Sequence, residues 1–298
     1  MRRHASVLAT VLVVGALAGC ADDDPDATSG DPSPSDTASS SPSPSDTGTT
    51  ESPSPSDEAT TGTPPVTSLV YYLVDDPQGI RIAREPHELS AETPLKAAIE
   101  AMIAGPDDPD YASTWDPDTK VLGISTAGNV ITVDLSEEAR TNGAGSDAAM
   151  RMVQQLVYTV TEVMGADKRV MLRIEGEPAG DLWGSVSWTR PVRRDPPMAV
   201  RNLVQIDFPA EGGTSGRKLT VSGEAATFEA TVPWRVVDAN GEVVRSGFTT
   251  AEEGMTLSPY SFSVRLRPGT YTVEVSEDDA SGGEGTPPRT DNRSVTIG

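Results

Sequence analysis

Cysteine is all but missing from the sequence. Cys20 stands alone among 298 residues, so no disulfide can form within the chain and no thiolate metal cage can be assembled. Histidine is nearly as scarce, with His4 and His87 only. A multi-histidine zinc centre is therefore excluded, and any serine-histidine-aspartate triad would have to be built on His87. Positive charge is short as well: Lys and Arg number 23 against 45 Asp and Glu, for a formal net charge of -22. A chain of that sign repels phosphate backbones, which argues against nucleic-acid binding and against electrostatic capture of anionic wall polymers. Long apolar runs are absent except for one. Val7 to Ala16 has the length of a signal-peptide core and falls short of a membrane span.

That run, preceded by Arg2 and Arg3, ends at Leu17-Ala18-Gly19-Cys20. Small residues directly before a cysteine resemble the bacterial lipobox. The resemblance implies cleavage before Cys20, a diacylglycerol thioether on its sulfur, and residues 1-19 as a lipoprotein signal peptide. An ordinary secretory signal is the alternative. The residues after the arginine pair, His4-Ala5-Ser6, do not extend a twin-arginine motif, so general secretion is expected. One acyl chain binds a bilayer at only about 10⁴ M⁻¹, whereas two or more anchor stably. Cys20 is thus the expected lipidation site and the membrane the expected partner, with the protein extracytoplasmic and held on the outer face of the cell membrane.

Composition then shifts abruptly. From Ala21 to Pro65 the chain is Ser, Pro, Thr, Asp and Gly, carrying ten acidic groups and no Lys or Arg, with Pro-Ser-Pro-Ser-Asp at 32-36, 42-46 and 53-57. Nothing there can bury a core, so residues 20-65 are expected to be a disordered tether. In polyproline form it would reach about 140 Å, and as a flexible coil roughly 40 Å. A glycosylated stalk or a docking sequence is the alternative reading.

The chain beyond Pro65 is too long for one core and suits two domains. Arg190 to Pro197 contains three arginines and three prolines that interrupt the apolar pattern, and residues 191-199 are expected to be a linker acting as a hinge; a basic docking patch is the lesser reading. Before it, strands are expected at Leu69-Val74 and near Ile80-Arg84. Thr93-Pro94 opens a helix carrying Leu95, Ala98, Ile99, Met102 and Ile103, which Gly105-Pro106 stops. Val121-Ile124 and Val130-Leu135 flank a turn as a hairpin, a second helix spans about Ser146 to Met164, and Val170, Leu172 and Ile174 alternate as a closing strand. The expected fold of 66-190 is α+β, a small mixed sheet with two helices on one face. After the linker the period becomes two, giving seven short strands between Val204 and Ile297, with tight turns at Asn240-Gly241 and Pro268-Gly269. Residues 200-298 are expected to form an all-β immunoglobulin-like sandwich, with Pro233 placing its strand at an edge or a bulge.

Particular residues narrow this further. Val70-Tyr-Tyr-Leu-Val74, Ala101-Met-Ile-Ala-Gly-Pro106, Lys120-Val-Leu-Gly-Ile124, Val130-Ile-Thr-Val-Asp-Leu-Ser136, Leu156-Val-Tyr-Thr-Val-Thr-Glu162 and Leu172-Arg-Ile-Glu-Gly176 resemble the GerMN-type domain of sporulation and germination proteins. Val221-Ser-Gly-Glu-Ala225, Phe228-Glu-Ala230, Val237-Asp-Ala-Asn-Gly241 and Thr270-Tyr-Thr-Val-Glu-Val275 resemble the immunoglobulin-like domain of bacterial spore germination proteins, except that Ser215-Gly216-Arg217 stands where that family carries Ser-Pro. The first resemblance implies extracytoplasmic lipoproteins, protein association, and no known catalysis. Envelope proteins or further copies of this chain are then the expected partners of the 66-190 domain.

Few side chains remain for chemistry. Asp107, Asp108, Asp110, Asp116 and Asp118 follow the first helix, and hard oxygens in a short loop are what calcium needs, yet the spacing is not that of an EF-hand; a solvated loop is expected. Trp115, Trp183 and Trp188 are candidates for sugar stacking or partner contact, and Trp234 for the sandwich core. No catalytic residue, metal site or cofactor is expected. The expectation is a non-enzymatic envelope lipoprotein that presents assembly domains; the alternative is a wall-glycan binder, possibly hydrolytic through a carboxylate pair.

Overall fold

A computed structural model describes residues 63–141, 145–278 and 285–298. Cys20, the apolar run before it and almost all of the tether lie outside these residues. Among the described residues no helix is long and apolar enough to cross a membrane.

The N-terminal part runs β1 (Val66–Asp76), β2 (Gly79–Leu89), α1 (Pro94–Ala104), β3 (Tyr111–Ala112), β4 (Val121–Ala127), β5 (Val130–Leu135), α2 (Ser146–Met164), β6 (Arg169–Ile174), β7 (Glu177–Pro178), β8 (Gly180–Leu182) and β9 (Val186–Trp188). Pro94 enters α1 at its first turn, where a missing N–H costs nothing, and Gly105 leaves it at φ 107°, a backbone region that favours glycine. The apolar residues anticipated for α1 are buried, and α2 buries Ala149, Leu156, Val157 and Val160 along one stripe, with Val153 and Met164 half-buried.

The strands divide among a three-stranded sheet of order β2-β1-β3, a four-stranded one of order β4-β5-β6-β7 and the two-stranded pair β8-β9. In the four-stranded sheet β5 and β6 run parallel, because α2 provides the crossover between them. The hairpin β1–β2 is also longer than the apolar pattern indicated, since its pairing continues through polar residues to Val66↔Leu89. Core residues from both larger sheets and both helices form one cluster.

A short helix, α3 (Pro197–Val200), precedes the C-terminal part: β10 (Val204–Phe208), β11 (Gly213–Ser215), β12 (Lys218–Ala225), β13 (Thr231–Asp238), β14 (Val243–Thr250), β15 (Ser258–Arg265), β16 (Gly269–Ser276) and β17 (Thr290–Ile297). These strands make sheets of order β10-β12-β15 and β11-β17-β16-β13-β14, whose inward residues share a second core cluster. This is the expected sandwich, with corrections at its margins. Phe228 and Ala230 belong to a 3₁₀ turn ahead of β13, which leaves Phe228 exposed. Pro233 lies in a strand paired on both sides, but pairing with β16 begins only at Trp234, so the missing N–H faces no ladder partner there. Gly223 has a steric reason: a Cβ there would sit 1.9 Å from the Gln205 carbonyl oxygen of the neighbouring strand.

Candidate functional site: the seam between the two parts

Arginine cannot be buried without a partner, and the two parts meet where four of them find one. Arg84 on β2 grips Asp207 on β10 through two bonds, Nε to Oδ1 at 2.8 Å and Nη2 to Oδ2 at 2.7 Å, and Arg84 and Arg201 share Glu224 on β12 at 3.1 and 2.7 Å. Fork-to-carboxylate geometry of this kind is among the stronger charge-assisted arrangements. Gln205 donates to the Arg84 carbonyl and to Asp207. Further along, Arg289 Nε meets Asp76 Oδ2 at 2.6 Å.

The densest group surrounds Arg293. This wholly buried side chain on β17 pairs with Asp108 from the loop after α1 and with Asp291, lies over the Tyr111 ring at 4.9 Å from its centroid, and donates to the Ile206 carbonyl. Tyr111 in turn accepts from Arg293 Nη2 and donates to Asp291 Oδ1, both at 2.9 Å. Burial lifts the Asp108 carboxyl to about 6, with Asp291 and Glu211 pushing the same way and Arg293 opposing. Burial likewise raises Asp291 above the ordinary carboxylate range, against the pull of Arg293.

The acidic loop is solvated at Asp107, Asp110 and Asp118, as expected, but Asp108 departs from that reading and is buried against Arg293. Asp108 and Asp110 face the sandwich, Asp110 accepting from Asn292 at 2.6 Å. Asp116 caps its own turn through the Asp118 N–H. The five aspartates do not converge on a common point.

Backbone also crosses the seam. The free side of β2 is covered by the chain leaving α3, through an Ile82–Arg201 bridge and an Asn202 N–H bond to the Ile82 carbonyl at 2.8 Å. The segment read as a hinge is pinned as well. Val192 exchanges two backbone bonds with Val170, Arg194 bonds Thr161, Tyr158 and Glu162 while lying 4.5 Å from the Tyr158 ring centroid, and Asp195 is held by Gln154. The described residues form one compact unit.

The tryptophans expected at a ligand surface are mostly core. Trp115 and Trp188 are buried with their indole N–H groups bonded to Gln155 and the Val170 carbonyl, and half-buried Trp183 packs edge-on to Trp115 at 5.3 Å. Trp234 is half-buried and stacked on Phe262 at 4.6 Å, in line with the sandwich-core reading. His87 sits between Glu85 and Tyr72: its Nε2 lies 3.1 Å from Glu85 Oε1 and 2.9 Å from the Tyr72 hydroxyl. Glu85, His87 and Asp107 are the three side chains, among the described residues, whose ligand atoms gather closely enough to hold a metal ion.

Two surface features remain open. Next to β4, the outer strand of its sheet, lies an apolar groove of about 460 Å³ lined by Pro94, Leu95, Val121, Leu122, Ile124 and Met164. On the sandwich, a groove of about 650 Å³ includes Pro233, Phe248 and Pro288 beside the Arg235–Glu274 ion pair, with Phe248 73% exposed.

This architecture is that of a two-module protein, an α+β domain joined to a β-sandwich, and the family comparisons agree. Residues 69–180 match the family model described as sporulation and spore germination, and residues 203–284 match that of the immunoglobulin-like domain of bacterial spore germination. The chain carries a GerMN-type domain followed by that immunoglobulin-like domain. Among solved structures, the tandem GerMN domains of the sporulation protein GerM from Bacillus subtilis are 18% identical over 46% of this chain and 50% of that one, at a TM-score of 0.38. The first GerMN domain of the same protein is 17% identical over 42% of this chain and 96% of that one, at a TM-score of 0.33. The chain thus spans half the length of the tandem structure. No curated protein matches it.

Proposed function

We propose that this is a non-enzymatic lipoprotein of the cell envelope, anchored through Cys20 outside the cytoplasmic membrane and presenting its two joined domains as a platform for protein association. The observation that carries the reading is the β4 margin. Val121 to Ala127 is a seven-residue outer strand with no charge and no proline in it, flanked by the apolar groove, and Leu122 is half exposed. Soluble proteins normally guard such an edge with charge or proline, because its free N–H and C=O groups template the addition of another strand. The seam supports the same reading from the other side, since the free side of β2 is already engaged at Ile82 by the chain leaving α3.

Photo-crosslinkers at exposed Lys120, beside β4, and at Arg217 on the sandwich test it in cells. Crosslinks to protein at 120 and not at 217 are expected. Protein crosslinks at 217 alone would overturn the choice of surface.

One observation favours a second reading, a wall-glycan binder. An exposed aromatic ring beside a planar charged pair, as Phe248 is beside Arg235–Glu274, is how a sugar's apolar face and hydroxyls are met together. Co-sedimentation with isolated cell wall that is lost on Phe248→Ala would establish it, and release of wall sugars or peptides would add hydrolysis.

A further inference from the structure

Buried carboxylates in this fold come with arginines, and one does not. Asp76 has Arg81 and Arg289, Asp108 and Asp291 share Arg293, and Asp207 and Glu224 share Arg84, with Arg201 also on Glu224. Glu85 is 2% exposed and, among the described residues, has no arginine or lysine against it; its sole basic neighbour is His87. A carboxylate taken from water needs a counter-charge or several donors. Glu85 receives the backbone N–H of Asp107 at 2.7 Å on Oε1 and that of Asp108 at 3.2 Å on Oε2, so its charge is met by two backbone donors and the histidine, and by no arginine or lysine.

We propose that Glu85, His87 and Asp107 form a binding site for one divalent first-row transition-metal ion, of which zinc is the representative. Local structure builds the set. Glu85 and His87 stand two apart on β2, so both side chains leave the same face of the strand. Asp107 arrives from the loop after α1, which the two N–H bonds to Glu85 hold in place. The three ligand atoms lie within 4.8 Å of one another. Glu85 Oε1 and His87 Nε2 are 3.1 Å apart; two ligands each about 2.0–2.1 Å from zinc at angles between octahedral and tetrahedral are separated by about 2.9–3.4 Å. The ion would sit between these atoms, with His87 coordinating through Nε2 as the neutral imidazole that carries its proton on Nδ1.

Exposed Asp107 leaves a path from solvent and room for water to complete the coordination shell. An imidazole nitrogen in the set selects against calcium and magnesium, which prefer oxygen ligands throughout. Binding would also clamp the residue next to Asp108, and hence the loop that reaches Arg293 across the seam.

The test uses the untagged full chain, stripped with chelator and dialysed against zinc, with His87→Gln and Asp107→Ala as separate variants. Asp107→Ala keeps the backbone N–H that Glu85 accepts, so it is expected to fold. The expected result is one zinc retained per wild-type chain, a melting temperature raised by several degrees, and a drop below about one-fifth of a zinc in both variants. Three results would each overturn the proposal: no zinc retained by the wild type, retention unchanged in both variants as for diffuse binding to surface carboxylates, or an equal thermal shift from calcium.

Discussion

Removing the Arg293 guanidinium tests how far the seam holds the molecule together. Arg293→Met keeps an apolar side chain of similar length in a wholly buried position but strands Asp108 and Asp291, and leaves the Ile206 carbonyl without this donor. Breaking a buried ion pair from one side costs about 3–5 kcal/mol, because the remaining charge stays buried. Whole domains are stable by only about 5–15 kcal/mol, so the loss is a large share of the total. At roughly 2–4 °C per kcal/mol for a region of this size, the melting temperature should fall by about 10 °C. Denaturant unfolding followed by tryptophan fluorescence and by far-ultraviolet circular dichroism is the assay; Trp115, Trp183 and Trp188 report on the N-terminal part and Trp234 on the sandwich, while the dichroism is weighted towards α1 and α2. Wild type should give coincident transitions. The variant should lose at least 2 kcal/mol, and adding Asp108→Asn to it should restore part of that, since one stranded charge is then gone. A loss below about 1 kcal/mol, or additive effects of the two substitutions, would refute the argument that the seam depends on this pair.

The raised carboxyl at Asp108 makes the folded state hold more protons than the unfolded one between about pH 4 and 6, and Asp291, also raised, works in the same direction. By linkage their contribution to stability therefore grows as pH falls through that window and is lost as pH rises through about 6; melting scans from pH 7.5 to 4.5 should show it, and Asp108→Asn should flatten the slope. Glu224, held below the ordinary range by Arg201 and Arg84 although burial pushes it up, works in the opposite sense as pH falls through its lower value. Ile124→Lys places a charge in the apolar groove at β4 and should abolish protein crosslinking from position 120 while leaving the melting temperature within a few degrees; undiminished crosslinking would count against that surface. Cys20→Ala should move the protein from the membrane fraction to the medium or leave it uncleaved, and detergent-requiring membrane association of the mutant would contradict lipid anchoring. Gly223→Ala should destabilise severely, because the added methyl meets the Gln205 carbonyl at 1.9 Å; a variant of unchanged stability would show that β10 can shift.

The elements legible in the sequence were those whose signal is local. Helix α1 announces itself by Pro94, its apolar spacing and Gly105, and the sandwich strands by their two-residue alternation. Short pairings such as β3, β7 and β8 carry no such pattern and exist because neighbouring backbone happens to need partners there. Alternation also misleads at strand ends: Phe208 continues the apolar series of Val204 and Ile206 yet is nearly half exposed, beside a register shift between Ile206 and Phe208. The seam was illegible for a deeper reason. Asp108 and Arg293 are 185 residues apart and Arg84 and Asp207 are 123 apart, so nothing in either segment marks its partner. A loop rich in aspartate reads as solvated unless the arginine that enters it is known.

That concealed pairing decides which surface is left for a partner. A mixed sheet ends in unpaired strands, and each is a place where another chain can add. In the N-terminal part β2 would be such an edge, eleven residues long, but the residues around Arg201 and Asn202 cover it, and Arg84 and Arg81 anchor the cover through Asp207 and through the carbonyls of Met198 and Arg201. β3 and β7 are two residues each and β8 and β9 three each, too short to template a strand. β4 is left, uncharged and seven residues long, with an apolar groove alongside. If partners add at a strand edge as proposed, the immunoglobulin-like part would steer them towards β4 by occupying part of the β2 edge. Loosening the seam should accordingly make association less selective before it makes it weaker, and Arg84→Met in place of wild type should yield protein crosslinks from a probe at exposed Glu88, on β2, that the intact protein does not give. Crosslinks confined to position 120 in that variant would mean that the covered edge was never competent.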